Sequence, residues 1–265
     1  MIEEKLTEIM MDYPGGKKKK VRIFVPEHEE GETFPVIYMT DGQSIFDEES
    51  NSYGCWHTRE AVKDERAVSG KSAVIVGIHN DDSPFERAQE LTPKSIGKLF
   101  IPIKMEVVPE QQGEIFDEFV VDSVMPMVEE KFPVRKGRNN TAFCGSSSGG
   151  VQSLFTAVTH PDLFCAAGVF SPAIMIYTPE DVKNWISSAV RDEKMPFLYF
   201  FAGGADEQEK LISKSMETVY DIFMELYPQE KMTEVILPDK PHNESSWEPI
   251  FRDFLHTFLA RSEEF

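Results

Sequence analysis

Thr141-Ala142-Phe143-Cys144-Gly145-Ser146-Ser147-Ser148-Gly149-Gly150 carries an apolar, strand-like segment into a bend of glycines and serines, and Val151-Gln152-Ser153-Leu154-Phe155 continues it as a helix. The bend contains G-x-S-x-G centred on Ser147. A serine at so sharp a strand-to-helix turn sits on strained backbone and needs small residues two before and two after it, so that neighbouring segments do not clash. Gly145 and Gly149 meet that need around Ser147. For Ser146 the flanks would be Cys144 and Ser148, and for Ser148 they would be Ser146 and Gly150, both poorer fits. The stretch therefore predicts a nucleophile elbow with Ser147 at its tip. The competing reading is a polar turn or a phosphate-cradling loop at a helix amino terminus, but the Gly-Lys-Ser/Thr ending of a P-loop is missing.

Outward from the elbow, apolar runs near 35–40, 73–78, 141–145, 165–170, 197–202 and 233–237 alternate with helix-length segments near 57–67, 114–131, 148–159, 179–190, 207–226 and 245–260. That alternation predicts an α/β class: a mostly parallel, twisted sheet with helices on both faces and right-handed crossovers. The amino-terminal part departs from it, because residues 5–13 and 19–26 flank Pro14-Gly15-Gly16 and should pair antiparallel at the sheet edge. The length of 265 residues suits a single domain over 1–265. Region 80–113 is the least patterned. Pro84, Pro93, Pro102 and Pro109 are expected to break any helix there, which leaves a lid or substrate loop, or a packed surface excursion.

A serine hydroxyl needs a base within hydrogen-bond reach, and a strand–turn–helix serine takes its partners in the chain order Ser, Asp or Glu, His. Only His160, His242 and His256 follow Ser147. His160 ends the helix that begins at the elbow and should lie roughly 20 Å away at 1.5 Å per residue. His256 falls inside an amphipathic helix-like stretch. His242 follows the last apolar run, at the carboxyl end of the sheet where open α/β folds bind ligands. It is the expected base. The acid should follow an earlier strand, and Asp206, in the loop Ala202-Gly203-Gly204-Ala205-Asp206-Glu207, is the first choice, with Glu207 as acid or both as surface charges held open, and Asp181 and Glu180 after the preceding strand as more distant alternatives. For the oxyanion hole, Ser148 supplies the amide after the nucleophile. The second is the Gln43 amide, next to Gly42 in Thr40-Asp41-Gly42-Gln43, although Asp-Gly also reads as an ordinary turn.

Composition limits the partners. With 27 basic and 46 acidic residues the chain carries −19, which repels nucleic acid and anionic membranes. The one basic run, Lys17 to Lys20, reads as solvated charge on a hairpin. No stretch approaches the roughly 18 apolar residues of a membrane span, and the acidic start lacks an export pattern, so a cytoplasmic location is expected. Cys55, Cys144 and Cys165 lack metal or disulfide spacing.

Together, Val36-Ile37-Tyr38-Met39-Thr40-Asp41-Gly42-Gln43-Ser44-Ile45-Phe46, Trp56, Arg87-Ala88-Gln89-Glu90-Leu91-Thr92-Pro93, the elbow, and His242-Asn243-Glu244-Ser245-Ser246-Trp247 resemble an esterase family of α/β-hydrolases. That family includes feruloyl and acetylxylan esterases of carbohydrate esterase family 1, enterochelin-esterase-like proteins, S-formylglutathione hydrolases and mycolyltransferases. The departures are Ser148, where such proteins often carry Met, and Lys240-Pro241 before the histidine, where Gly-Gly is common. The resemblance implies serine-ester hydrolysis through an acyl-enzyme, without metal or organic cofactor, on a small-molecule or oligosaccharide ester. Feruloyl or acetyl carbohydrate esters are the first expectation; a siderophore trilactone, formylglutathione, or an inactive binding scaffold are the alternatives. Arg87 either pairs with Glu90 or binds substrate; Trp56 and Trp247 either pack in the core or stack on a substrate ring. The oligomeric state, self-association included, stays open.

Overall fold

The computed structural model describes residues 1–46, 54–100, 110–191 and 194–262. Strands β1 (Lys5–Tyr13), β2 (Lys17–Val25), β3 (Val36–Met39), β4 (Val74–Ile78), β5 (Thr141–Ser146), β6 (Ala166–Phe170), β7 (Phe197–Ala202) and β8 (Met232–Ile236) form one sheet in the order β1-β2-β4-β3-β5-β6-β7-β8. β1 pairs antiparallel with β2, and β2 with β4; the remaining pairs are parallel. The helices are α1 (Thr58–Ser69), α2 (Pro84–Glu90), α3 (Gly113–Phe119), α4 (Met125–Lys131), α5 (Ser148–Thr159), α6 (Pro179–Ala189), α7 (Glu207–Leu226) and α8 (Glu244–Arg261).

The central strands β3 to β7 are buried at every position because both sheet faces are covered. Alternate side chains divide between two cores: Val36, Tyr38, Val74, Val76, Leu198 and Phe200 face one, and Ile37, Met39, Ile75, Phe197, Tyr199 and Phe201 face the other. The first core is closed by residues of α5, α6 and α7 such as Leu154, Trp185 and Phe223, and the second by residues of α1 and α8 such as Val62, Phe251 and Phe254. The expected mixed α/β sheet with antiparallel amino-terminal strands is the one observed.

Two local expectations change. Pro84 begins α2 instead of breaking it: Ser83 caps the helix by accepting from Glu86 N at 3.5 Å, and proline at the first helical position gives up an amide that would have no intrahelical acceptor anyway. Residues 101–109 of the 80–113 loop lie outside the described residues. Within the basic run, Lys19 is not solvated; only 6% of its side chain is exposed, and its ammonium sits 2.8 Å from the Glu90 carboxylate.

The chain passes from β3 to β4 on one side and later to β5 on the other, so strand order reverses at β3/β5. Carboxyl ends of strands at such a switch point diverge and leave a crevice. The candidate site lies there.

Candidate active site

Ser147 stands between β5 and α5 with φ 59° and ψ −123°, left-handed backbone that a non-glycine residue holds only when its surroundings over-determine it. The surroundings do so: Ser147 N donates to Phe170 O at 3.0 Å, and Ser147 O accepts from Gly150 N, Val151 N and Ala173 N at 3.0–3.2 Å. A Cβ on Gly145 would fall 2.5 Å from Gly149 O and 2.6 Å from Thr40 Oγ1, while one on Gly149 would clash with Thr40 Oγ1. Both glycines of the motif are therefore steric requirements of the bend.

Ser147 and His242 line the same cavity, of about 660 Å³, together with Gln43, Arg87, Gln208 and Trp247. The His242 ring is 12% exposed, and its Nδ1 lies 2.5 Å from Glu209 Oε2. That carboxylate is fully buried. Its other oxygen, Oε1, accepts from Ser171 Oγ at 2.5 Å and from Gly203 N at 2.6 Å, and Ser171 Oγ accepts in turn from Trp247 Nε1 at 2.9 Å. The Trp247 ring meets the imidazole edge-on, with centroids 5.1 Å apart. A buried carboxylate on Nδ1 fixes the tautomer that leaves Nε2 free to accept a proton.

This geometry corrects the expected acid. Asp206 does not meet the imidazole; it caps α7, accepting from Glu209 N at 2.8 Å, and its second oxygen accepts from the backbone His242 N at 3.0 Å. These two amides hold its carboxyl below the usual range. Asp206 thus anchors the histidine loop while Glu209 orients the ring. The missed signal was the spacing Asp206-x-x-Glu209 at a helix start, which reads as an N-cap followed by the N3 position. Glu207 is exposed and pairs with Lys210.

Asp41, which also lines the cavity, takes a left-handed φ of 55°. Its carboxylate receives the Arg87 fork, Nε at 2.5 Å and Nη2 at 2.8 Å, and Arg87 Nη2 also reaches Ser146 O at 3.3 Å. Arg87 therefore pairs with Asp41 and not with Glu90, and ties the loop after β3 to the elbow while still facing the cavity. Gly42 does not line the cavity. It lies on Gly77, where a Cβ would come 2.5 Å from the Gly77 carbonyl carbon, and this close approach brings the neighbouring Gln43 to the cavity wall. Ser148 is the first residue of α5, so its amide has no acceptor within the helix.

Trp56 is corrected as a substrate residue: at 2% exposure it packs edge-on to Phe170 and Phe251 and against Trp247, with centroids 5.1 to 5.9 Å apart. His160 pairs with Asp117 at 2.6 Å and His256 with Glu65 at 3.1 Å, both away from the cavity.

Residues 15–195 match the family described as Putative esterase. The chain belongs to this esterase family. Among curated relatives of this family member, an endo-1,4-beta-xylanase/feruloyl esterase of Xylanibacter ruminicola is 23% identical over 189 residues, 71% of this chain and 22% of the relative. An iron(III) salmochelin esterase of Escherichia coli is 25% identical over 167 residues, 62% of this chain and 34% of the relative. The match thus spans about a third or less of either relative's length. The solved structure of an IroE-like serine hydrolase from Shewanella oneidensis superposes with a TM-score of 0.76 at 18% identity, covering 97% of this chain and 80% of that one, which places the fold among the α/β-hydrolases.

Proposed function

We propose that this esterase-family chain is a serine carboxylic-ester hydrolase with Ser147 as nucleophile, His242 as general base and Glu209 as the acid that orients it. The reading is carried by one observation: Ser147 at the strained elbow and His242, its Nδ1 held by buried Glu209, face a common cavity. In the reaction, His242 Nε2 takes the Ser147 proton as Oγ attacks the ester carbonyl. The amides of Ser148 and Gln43 hold the oxyanion, and the imidazolium returns its proton to the departing alcohol. Water, deprotonated by the same histidine, then attacks the acyl-enzyme carbonyl, and the tetrahedral species collapses to release the acid and restore Ser147. Throughout, the Glu209 carboxylate stabilises the imidazolium.

Acylated carbohydrates, as feruloyl or acetyl esters, are the first substrate reading. Asp81, Asp82 and Glu244 stand on the cavity wall and the whole chain carries −19, a field that suits uncharged esters. A siderophore trilactone is the second reading, favoured by the similarity to the salmochelin esterase. Hydrolysis of p-nitrophenyl acetate, methyl ferulate and a catecholate trilactone, each by wild type and Ser147→Ala, tests both. The serine change is expected to lower turnover by about 10⁴–10⁶-fold. Equal rates for the two proteins, or no hydrolysis of any ester, would reject the activity.

A further inference from the structure

The loop after β3 is tied to the carboxyl end of β4 by three hydrogen bonds. Gly42 N donates to Ile78 O at 3.0 Å, Asp41 N to Asn80 Oδ1 at 2.9 Å, and Asn80 N to Gln43 Oε1 at 3.3 Å. Asn80 takes part in two of the three and is 6% exposed. Its amide Nδ2 donates to Glu90 Oε2 at 3.2 Å, and that same oxygen accepts from Asp81 N at 3.2 Å. Both Glu90 oxygens lie 2.8 Å from Lys19 Nζ, with the two side chains 4% and 6% exposed.

The direction of these bonds matters. A carboxylate can only accept, so Glu90 obliges the NH₂ end of Asn80 to face it and thereby turns Oδ1 towards the Asp41 amide. Were the side-chain amide flipped, NH₂ would oppose a backbone N–H. Lys19 Nζ meets both Glu90 oxygens, so the buried carboxylate has its counter-charge beside it. Asp41, meanwhile, holds a left-handed φ of 55° that is costly for a non-glycine residue and persists only when held from several sides. Arg87 holds its carboxylate, and Asn80 holds its amide.

We propose that Asn80 is a positioning residue for the oxyanion loop. Locked in one amide orientation by the Lys19–Glu90 pair, it clamps Asp41 and Gln43 so that the Gln43 N–H is aimed at the developing oxyanion; this rests on the esterase reading above. The hairpin lysine on β2 thus supports catalysis from outside the cavity. An oxyanion donor acts on the transition state and not on the bound ester, so misaiming it lowers kcat and leaves KM in place.

The test is steady-state kinetics on p-nitrophenyl acetate for wild type, Asn80→Ala and Asn80→Asp, with thermal melting of each protein. Asn80→Ala removes the acceptor of Asp41 N; Asn80→Asp still offers it an oxygen but has no N–H for Glu90, so the orientation is no longer fixed. Expected are about 10–100-fold losses of kcat at near-constant KM for both variants, with thermal melting showing folded protein. Folded variants that keep kcat within twofold, or whose loss falls on KM instead of kcat, would overturn the proposal. Wild-type protein without activity would overturn the esterase reading itself, and this inference with it.

Discussion

Ser147 and His242 sit 95 positions apart in sequence, yet each is held by contacts of its own. The serine's backbone is pinned by Phe170 and Ala173, and the imidazole by Glu209 through Nδ1. The division of labour between two acids three residues apart gives a sharp expectation. Glu209→Gln keeps the volume but replaces an ionised acceptor with an amide, and should lower kcat on p-nitrophenyl acetate by about 10³–10⁴-fold. Asp206→Asn keeps an oxygen for only one of the two amides that Asp206 accepts from, the helix cap or the loop anchor, and should cost about tenfold or less in kcat, with a small drop in melting temperature. The reverse ranking would restore Asp206 as the orienting acid. That Ser147 stands at an elbow and that His242 follows the last strand was legible in the sequence, because elbow sterics and loop position are local features. Glu209 was not, because the side chain that reaches the ring projects from the first turn of α7, not from the loop before it. For Arg87 the sequence offered pairing with nearby Glu90 or substrate binding, whereas its partner Asp41 lies 46 residues away, a distance no periodicity encodes.

Among elements, the strands were the most legible, since strands buried on both faces read as unbroken apolar runs. The start of α2 was not, because a proline in an unpatterned stretch reads as a helix breaker, whereas Pro84 after the cap Ser83 is the first helical residue. The end of β4 carries an acid sensitivity. Burial, then the nearby charges of Lys20 and Arg22, lower the pKa of His79 to about 4, and its Nε2 has no hydrogen-bond partner among the described residues. An unfolded histidine titrates near 6.5. A depressed pKa means that the folded chain favours the neutral ring, so its contribution to stability is full above pH 6.5 and is lost as pH falls towards 4. Urea unfolding at pH 7.5 and pH 5 should show this loss in wild type and a smaller one in His79→Gln. An identical pH dependence in the two proteins would rule the histidine out as its source.

For the whole molecule, parallel topology gathers the loops after β3, β5, β7 and β8 at one end of the sheet, which is how segments remote in sequence come to share a cavity. Net charge acts at the same scale. A chain at −19 with Asp81, Asp82 and Glu244 on the cavity wall repels anionic esters over a distance that salt shortens. Raising ionic strength from about 0.01 to 0.15 M, where the screening length falls from about 30 to 8 Å, should therefore increase kcat/KM for an acyl ester bearing a carboxylate and leave that for a neutral analogue nearly unchanged. Equal salt responses would mean that the local field at the cavity is not set by these acids. The most direct measurement is covalent: treat the folded protein with a fluorophosphonate and locate the adduct by peptide mass spectrometry. A nucleophilic serine activated by His242 predicts one adduct, on Ser147, lost in Ser147→Ala and formed far more slowly in His242→Gln. No adduct, or one formed on another residue while Ser147 stays unmodified, would contradict it.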